Sequence, residues 1–489
     1  MKRLSLIFLL LLILSSGPRA AQGRLANQRP SVGLSISIGQ RVPAEAAPVL
    51  RRALFRYLSY QMGQTGFSVG ECAPGHNPLA SIALEFSVEA DSEKLPAATE
   101  LARWIVDPPV GDWVLRAVTD SHTDADTITI RSPEPQPADS ACLLPEGALF
   151  LMRASDMIAS QFINTTPRDL GWVAEEAVPV QIYVDSTFRS RYPRSWDGRV
   201  EHLIHSTSLT MAHQFGMGLD RQHTMLVDVG GKPGINLLNL HLAMHAQKPM
   251  SPQMLVIGLY GGHVHPEVAG MQREGLDKIG YASLAKRRIT MTDIYLPEDL
   301  KHWWPWVMSR ILAHEVYHAL GGAVHVWDAE AIMNPLFVWT MSDSLDPVNS
   351  RLVRSIAVDN KSAGSKAQYA QRVLDAVDGS LSGSLIDWPQ FAYDFTDVLA
   401  SSMKMPEVDS TLRDDLMAAS VGVELLKSGP SDRAEQIYNR LTKKYPGEAS
   451  FWYWLWRSQP VHVADTTLAK AAQMGYYPAQ MELVKGLKR

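Results

Sequence analysis

The sequence predicts an α+β protein in three parts, and three observations lead to that prediction. Strand and helix patterns alternate from residue 22 to residue 170. Near Gly171 the pattern changes to a strand, a helix, several extended runs and a further long helix. Only helical patterns follow the small polar segment around Gly364. The expected parts are therefore an α+β domain at 22–170, a second α+β domain at 171–361 and an all-helical region at 362–489.

The composition limits the classes of function. With 489 residues and 46% hydrophobic content, the chain can bury several cores. The formal net charge of −5 and the lack of a basic stripe argue against a nucleic-acid partner.

The N-terminus has the pattern of a secretory signal peptide. Lys2 and Arg3 precede an apolar run over residues 4–14, which is too short to cross a bilayer, and small residues follow up to Ala21. We therefore expect residues 1–21 to be cleaved. The mature protein would then be secreted or periplasmic, without a membrane-spanning segment.

The first part contains strand and helix patterns but no recognisable motif. Alternating apolar residues predict strands at 32–38, 82–88 and 127–130, and helical spacing predicts helices at 44–62 and 147–163. No chemistry follows from these patterns, so the role of this domain is not predicted.

The second part combines strands with two long helices. A strand is expected at 180–184, an amphipathic helix at 199–215 and a helix from Pro305 to Gly321. A short helix is expected after Asp346 and Pro347. Further extended runs are predicted at 224–229, 237–244, 254–259 and 289–295.

A metal-binding pattern lies inside the second long helix. His314, Glu315 and His318 form the signature HExxH of zinc peptidases. Residues four apart share a helix face, so both imidazoles can reach one metal ion with Glu315 beside it. His325 follows a few residues later. Three histidines leave a fourth coordination position open, which is typical of catalytic Zn²⁺.

The alternative is a buried helix with incidental histidines. The continuation of the sequence counts against it, because Gly321 stands where the helix would have to end and His325 follows closely. Met333 then heads a short segment before a proline. We therefore predict that the site is a metal centre.

The extended pattern resembles the metzincin zinc peptidases, and most of all their matrixin branch. The residues that carry the resemblance are HALG at the end of the HExxH helix, His325, and AIMNP containing Met333. The resemblance implies a metzincin-like peptidase domain at 171–361. It also implies that Met333 forms the structural Met-turn, an apolar floor beneath the ligands. In some metzincins a tyrosine two residues after this methionine joins the site, and Pro335 excludes that here.

One spacing departs from the family pattern. HExxHxxGxxH would place the third ligand at Val324, whereas this chain has its histidine one residue later, at His325. Gly321 and Gly322 can absorb an extra residue, because glycine readily adopts positive φ. If His325 does not bind the metal, Asp328 is the alternative ligand.

Glu315 is the expected catalytic residue. A carboxylate one residue after the first ligand can take a proton from the attacking water and later give it to the leaving amine. The resemblance also implies an edge strand before the metal helix, against which peptide substrates align. The segment 280–283 is the candidate for its neighbourhood.

The two cysteines, Cys72 and Cys142, precede the metal pattern. In an oxidising compartment, an even pair is first expected to form a disulfide. The alternative is that Cys72 is a latency ligand for zinc, as in matrixin propeptides. No recognisable propeptide pattern surrounds it, and Cys142 is available as a partner.

The predicted metal set does not include two further histidine pairs. His263 and His265 lie in a glycine-containing loop pattern, where exposed histidines are the simpler interpretation. His241 and His245 have helical spacing, but the run at 237–244 is equally good as a strand.

The C-terminal region resembles tetratricopeptide repeats. Gly422, Ala434, Tyr438 and Pro446 match the small, small, aromatic and terminating positions of one repeat. Such helices either bind a protein partner or pack on the enzyme. So short an array lacks a long concave surface, which slightly favours packing.

The leading functional hypothesis is a zinc-dependent endopeptidase that acts on protein or peptide substrates. Two alternatives stay open. The first is a catalytically silent metzincin-fold scaffold of the cell envelope, kept open by the displaced third histidine. The second is a zinc amidase with a non-protein substrate, such as a peptidoglycan link.

Overall fold

The computed structural model describes most of the chain, which divides into two compact units. The first unit contains residues 1–139 and 144–173, and the second contains residues 140–143 and 174–489. The described residues are 31–39, 46–64, 68–71, 80–89, 112–121, 124–131, 151–158, 176–229, 240–244, 254–261, 280–283, 287–294, 296, 298–327, 331–334, 345–355, 366–381, 385–403, 410–459 and 465–487.

The first unit is built on a five-stranded mixed sheet with strand order β2-β1-β3-β4-β5. β1 pairs in parallel with β2 and β3, and β3, β4 and β5 follow as antiparallel neighbours. Residues 151–158 are also helical. The elements are β1 (Ser31–Ile38), α1 (Ala46–Gln64), β2 (Ser68–Glu71), β3 (Ala80–Glu89), β4 (Asp112–Ser121) and β5 (Asp124–Arg131).

The hydrophobic patterns explain these elements. Leu34 and Ile36 alternate along β1 and are buried, as a strand with one covered face requires. Leu50, Leu54 and Leu58 recur every four residues along α1 and are also buried. The strands expected at 32–38, 82–88 and 127–130 are therefore present, and each is longer than its pattern indicated.

The second unit contains another five-stranded sheet, with strand order β7-β6-β8-β10-β9. Four of its strands are parallel, and β9 pairs antiparallel with β10 at one end of the sheet. All six residues of β8 are buried, which fits a central parallel strand covered on both faces. The strands are β6 (Glu176–Asp185), β7 (Met217–Val227), β8 (Leu255–Tyr260), β9 (Gly280–Ser283) and β10 (Arg288–Thr292).

One extended run was predicted wrongly. Residues 240–244 are helical, not extended as expected for the run at 237–244. Leu240 and Met244, one helical turn apart, are both buried against Gly258 of β8. A short apolar run fits a buried helix as well as a strand, so periodicity alone could not decide between them.

Four labelled helices accompany this sheet, and one of them contains the HExxH segment. The long helix that contains this segment is buried along its whole length. A short 3₁₀ helix over Glu298–Trp303 leads directly into it. The helices are α2 (Ser186–Arg191), α3 (Trp196–Phe215), α4 (Trp304–Gly321) and α5 (Pro347–Val353).

From Lys366 onward, the described residues of the second unit are mainly helical, as the sequence predicted. Tyr438 lies against Gly422 of the neighbouring helix, and its hydroxyl donates to the Ala419 carbonyl at 3.0 Å. None of the helices in the described part of the chain combines the length and hydropathy that a membrane span needs. The helices are α6 (Lys366–Val377), α7 (Trp388–Asp394), α8 (Thr396–Ser402), α9 (Ser410–Leu426), α10 (Asp432–Lys444), α11 (Ala449–Ser458), α12 (Asp465–Gln473) and α13 (Tyr477–Leu487).

Candidate metal centre

The start of α4 is fixed by a buried carboxylate. Asp293 accepts hydrogen bonds from the Trp304 indole at 2.5 Å and from the Tyr192 hydroxyl at 2.7 Å, and Arg191 lies 3.1 Å away. Burial raises the pKa of Asp293, while Arg191, Tyr192 and Trp304 act in the opposite direction. Pro305 occupies the first turn of the helix, where the missing N–H costs little.

The end of α4 is formed by a left-handed glycine. Gly322 has φ of 62°, and its N–H donates to the His318 carbonyl at 3.1 Å. The N–H of Ala323 donates to the Tyr317 carbonyl at 3.2 Å. These bonds satisfy carbonyls that the end of a helix would otherwise leave unpaired. The helix thus begins one residue before the predicted Pro305 and ends at Gly321, as predicted.

Three histidine side chains converge beside this helix end. The Nε2 atom of His318 lies 3.0 Å from that of His314 and 3.1 Å from that of His325. One ligand atom from each of the three histidines lies within 4.8 Å of the others. His314 and His318 are buried, and His325 is exposed. Among the described residues, this is the one group of three or more such side chains able to hold a metal ion.

Backbone carbonyls orient two of the rings. The Nδ1 atom of His314 lies 2.7 Å from the Ile332 carbonyl, and that of His318 lies 2.5 Å from the Ala323 carbonyl. A carbonyl only accepts, so each Nδ1 carries the proton and each Nε2 keeps its lone pair. Burial lowers the pKa of His314 to about 4, although its bond to Ile332 opposes the shift. The imidazole therefore stays in its neutral, metal-binding form.

The donor set fits a tetrahedral zinc ion. Zinc–nitrogen bonds of about 2.0–2.1 Å in a tetrahedron place ligand nitrogens roughly 3.3 Å apart. The separations of 3.0 and 3.1 Å around His318 are close to that value. Metal-binding histidines generally donate their second ring N–H to a carbonyl or carboxylate, as His314 and His318 do.

A nearby asparagine shapes the loop that brings His325 to the other two histidines. The N–H of Val324 donates to Asn349 Oδ1 at 2.7 Å, and Asn349 Nδ2 donates to the Val324 carbonyl at 2.8 Å. Asn349 is fully buried in α5. Val324 therefore points its side chain into the core, and the next residue carries the imidazole. The histidine that is one residue late in sequence thus reaches the cluster.

The segment of the expected Met-turn contacts the same cluster. Ile332 provides the carbonyl that orients His314, and the Met333 carbonyl accepts from the N–H of Val326 at 3.0 Å. The side chain of Met333 is fully buried. This short segment is therefore bonded both to His314 and to Val326, the residue after His325.

The carboxylate of Glu315 lies against the edge strand β9. A β-carbon added at Gly280 would lie 2.3 Å from Glu315 Oε1 and 2.7 Å from its Cδ atom. Glu315 itself is buried. Gly280 thus leaves the space that the carboxylate occupies, which is a close approach that no other residue type permits. The sequence indicated that this segment lies near the site, but it carries no signal of the contact with Glu315.

Several predicted residues cannot be placed. The signal peptide, Cys72, Cys142, Asp328 and Pro335 lie outside the described residues, as do His245, His263 and His265. His241 is described, and its Nδ1 atom lies 3.4 Å from the Thr290 hydroxyl in the core. The proposed disulfide and the alternative metal ligand therefore stay predictions.

Nothing in the sequence indicates that Asn349 supports the loop that carries His325. A buried asparagine three residues into a predicted helix has no sequence signature that links it to a loop 25 positions earlier. The sequence DPVN at 346–349 does explain the helix start, because Asp346 caps α5 by accepting from Val348 and Asn349.

No family model matches this chain, and no curated protein matches it. Solved structures do match. An archaemetzincin from Methanopyrus kandleri is 14% identical, with 36% of this chain and 94% of that chain covered and a TM-score of 0.27. Metalloproteinase-II from Bacteroides fragilis is 12% identical, with 67% and 98% covered and a TM-score of 0.25. A chaperone–substrate complex is 9% identical, with 52% and 35% covered and a TM-score of 0.22.

Proposed function

We propose that the protein is a zinc-dependent endopeptidase that hydrolyses peptide bonds in proteins or peptides. The observation that carries the proposal is the convergence of the Nε2 atoms of His314, His318 and His325 next to the buried Glu315. Each residue type in this set has a place in hydrolysis by a three-histidine zinc site. The proposal includes a place in the matrixin-like branch of the metzincins, which the HALG segment after HExxH, His325 and the AIMNP segment containing Met333 support.

The histidines would hold the metal. Zinc bound by three neutral imidazoles keeps one coordination position open, polarises a carbonyl and lowers the pKa of a water molecule. The Ile332 and Ala323 carbonyls hold the rings of His314 and His318 in one orientation, so the ligands need little rearrangement on binding. That rigidity favours metal binding.

Glu315 would move the protons. It follows the first ligand on α4 and is buried, so its carboxylate is positioned by the helix and by Gly280. A carboxylate there would accept the proton of the attacking water and later deliver it to the nitrogen of the leaving amine. The peptide C–N bond breaks in the same sequence of steps. The reaction consumes one water molecule and needs no other reactant.

The edge strand β9 would align an extended substrate. Among the described strands it is the last of its sheet, with β10 on one side. A peptide can add to such a strand through backbone hydrogen bonds, which bind many sequences with little side-chain selection. Gly280 on this strand contacts Glu315, so a peptide placed there would pass close to the catalytic carboxylate.

The test compares zinc content and cleavage of casein and a peptide library for wild type, Glu315→Gln and His325→Ala. We expect Glu315→Gln to retain zinc and lose at least about 100-fold in turnover, because general acid–base catalysis contributes that much. His325→Ala should lose both zinc affinity and turnover. Tyr317→Phe is the matched control on the same helix, because it removes only a hydroxyl that accepts from Gln214 at 3.3 Å.

The outcomes separate the alternatives. Activity that survives Glu315→Gln would exclude this mechanism. A wild-type chain that binds zinc and cleaves no peptide but releases amines from a peptidoglycan fragment would be an amidase. Zinc binding without hydrolysis of either substrate would identify a scaffold.

We also propose that the protein acts outside the cytoplasm, in the periplasm or the medium. The basic residues Lys2 and Arg3, the apolar run at 4–14 and the small residues up to Ala21 support this location. Cell fractionation, together with N-terminal sequencing of the mature protein, tests it. An intact Met1 on a cytoplasmic protein would contradict it.

A further inference from the structure

We propose that the C-terminal helices form a clasp that fixes the third histidine of the metal centre, and that Trp327 is its positioning residue. The inference rests on the proposed function, because it requires that His325 binds the metal. It assigns a role to a region for which the sequence predicted only partner binding or packing.

His325 needs support that the other two histidines obtain from α4. It is exposed, whereas its neighbours Val324 and Val326 are buried. On one side, Asn349 holds Val324 with two hydrogen bonds. The position of the imidazole therefore depends on what holds the backbone on the other side, at Val326 and Trp327.

Residues 385–386, just before α7, hold that other side, and we call this segment the strap. Val326 and Ile386 form an isolated antiparallel bridge, and the Trp327 N–H donates to the Leu385 carbonyl at 2.9 Å. Ile386 of the strap follows Val326 by 60 residues in sequence, and α6 lies between them along the chain. Backbone pairing of this kind fixes the direction of the chain directly after the ligand.

The strap is itself fixed to the helices. Asp387, the next residue, is half-buried, and its Oδ1 atom accepts from the Trp454 indole of α11 at 2.8 Å and from the Gln390 N–H at 3.2 Å. Trp388 is fully buried and packs edge-on against Phe391. The strap therefore cannot move without disturbing α7 and α11.

The ring of Trp327 reaches the last helices of the chain. It stacks on Tyr477 with ring centroids 5.8 Å apart and an interplanar angle of 17°, and it meets Tyr476 at 6.3 Å. It also packs against the buried cluster formed by α11, α12 and α13. A side chain two residues from the third ligand is thus part of the C-terminal core. Removal of a group that orients a metal ligand typically lowers the metal affinity about 10- to 100-fold.

The test is a double-mutant cycle on zinc affinity in the full-length chain. Zinc dissociation constants are measured for wild type, Trp327→Ala, His325→Ala and the double variant, with visible spectra of the Co²⁺ forms as a second readout. We expect Trp327→Ala to weaken zinc binding about 10-fold or more. In the His325→Ala background, the same substitution should change affinity by less than about twofold, since no third imidazole is left to position.

Two variants separate positioning from loss of stability. Trp452 is another partly buried tryptophan that packs against the same cluster, and no contact joins it to Val326 or the strap among those described. Trp452→Ala should lower the thermal midpoint and leave zinc affinity unchanged. Trp327→Phe keeps a ring for stacking and should restore most of the affinity. If Trp327→Ala does not fold, Tyr477→Ala removes the stacking partner instead, and we expect at least about a threefold loss.

Three results would overturn the clasp. They are an unchanged zinc affinity in both Trp327→Ala and Tyr477→Ala, equal losses with and without His325, and the same loss in Trp452→Ala. A wild-type chain that binds no zinc would reject the proposed function itself, so the two failures are distinguishable.

Discussion

The two sides of the candidate metal centre are held in different ways. His314 and His318 lie one helical turn apart on α4, so their spacing alone places both rings on one face. His325 lies in a loop whose shape depends on Gly322, on Asn349 of α5 and on the strap at 385–386. In a helix, the spacing in sequence sets the relative position of two side chains. In a loop, that position depends on contacts with residues far away in sequence. A one-residue change in loop spacing is therefore compatible with the same cluster.

Removing a helical ligand should have the largest effect. Structural zinc sites bind with about 10–16 kcal/mol, so one of four ligands contributes roughly 3 kcal/mol, or a factor of about 100 to 200 in affinity. We expect His318→Ala to weaken zinc binding by at least this factor, as measured by titration against a chelator of known affinity. His205→Ala, an exposed histidine on α3, is the control. A small effect of His318→Ala would mean that the metal lies elsewhere.

Removing the loop support should come next. Asn349→Ala deletes both bonds to Val324 and leaves a buried N–H and carbonyl unpaired. Each unpaired group costs about 1–3 kcal/mol, so with two such groups we expect the free energy of unfolding to fall by roughly 2–6 kcal/mol in urea titrations. Zinc affinity should also fall, because the loop then has more conformations. Asn439→Ala, on the outer helix α10, should stay within about 0.5 kcal/mol of wild type. Unchanged zinc affinity in Asn349→Ala would show that the loop holds its shape without this residue.

A substitution at the end of α4 should have a smaller effect, on stability. In Gly322→Ala, the left-handed conformation costs about 1–2 kcal/mol, and the new methyl group would lie 3.1 Å from Phe395 Cζ and 3.2 Å from Tyr369 Oη. We expect a lower thermal midpoint. Gly198→Ala in α3 has open space around the new methyl group and should raise the midpoint slightly, because alanine restricts the unfolded chain. Equal effects of the two substitutions would contradict the role of Gly322.

The smallest expected effect concerns Glu315, a helical residue whose side chain is positioned by a residue on the strand β9. Gly280→Ala should displace the Glu315 carboxylate, since the new methyl group would overlap it. We expect turnover to fall about 10-fold, in keeping with misplacement of a general base, and zinc content to stay unchanged. Steady-state kinetics and metal analysis on the same preparation measure both. A loss of zinc would show that the strand supports the ligands rather than the carboxylate.

The sequence predicted the helices and strands that have a regular hydrophobic pattern. It did not predict the residues that support the site through contacts far apart in sequence. The stripes of α1, α3 and α4 and the alternation in β1 gave the elements within a few residues, because burial of one face determines the pattern. The run at 237–244 was assigned wrongly, since its length fits both a strand and a helix. At the site, HExxH predicted the converging rings of His314 and His318. The supports Asn349, Gly280 and Leu385 could not be predicted, because their contacts join segments far apart in sequence.

The stacking of Trp327 on Tyr477 has a consequence for the order in which the molecule assembles. His314 and His318 share one face of α4 as soon as that helix forms, but the clasp needs about 150 further residues of chain. At about 5–20 residues per second, a ribosome takes roughly 8–30 s to add them. During that interval the nascent chain has two of the three histidines on one helix face and His325 without the clasp. Completion of the polypeptide would then determine when the centre closes.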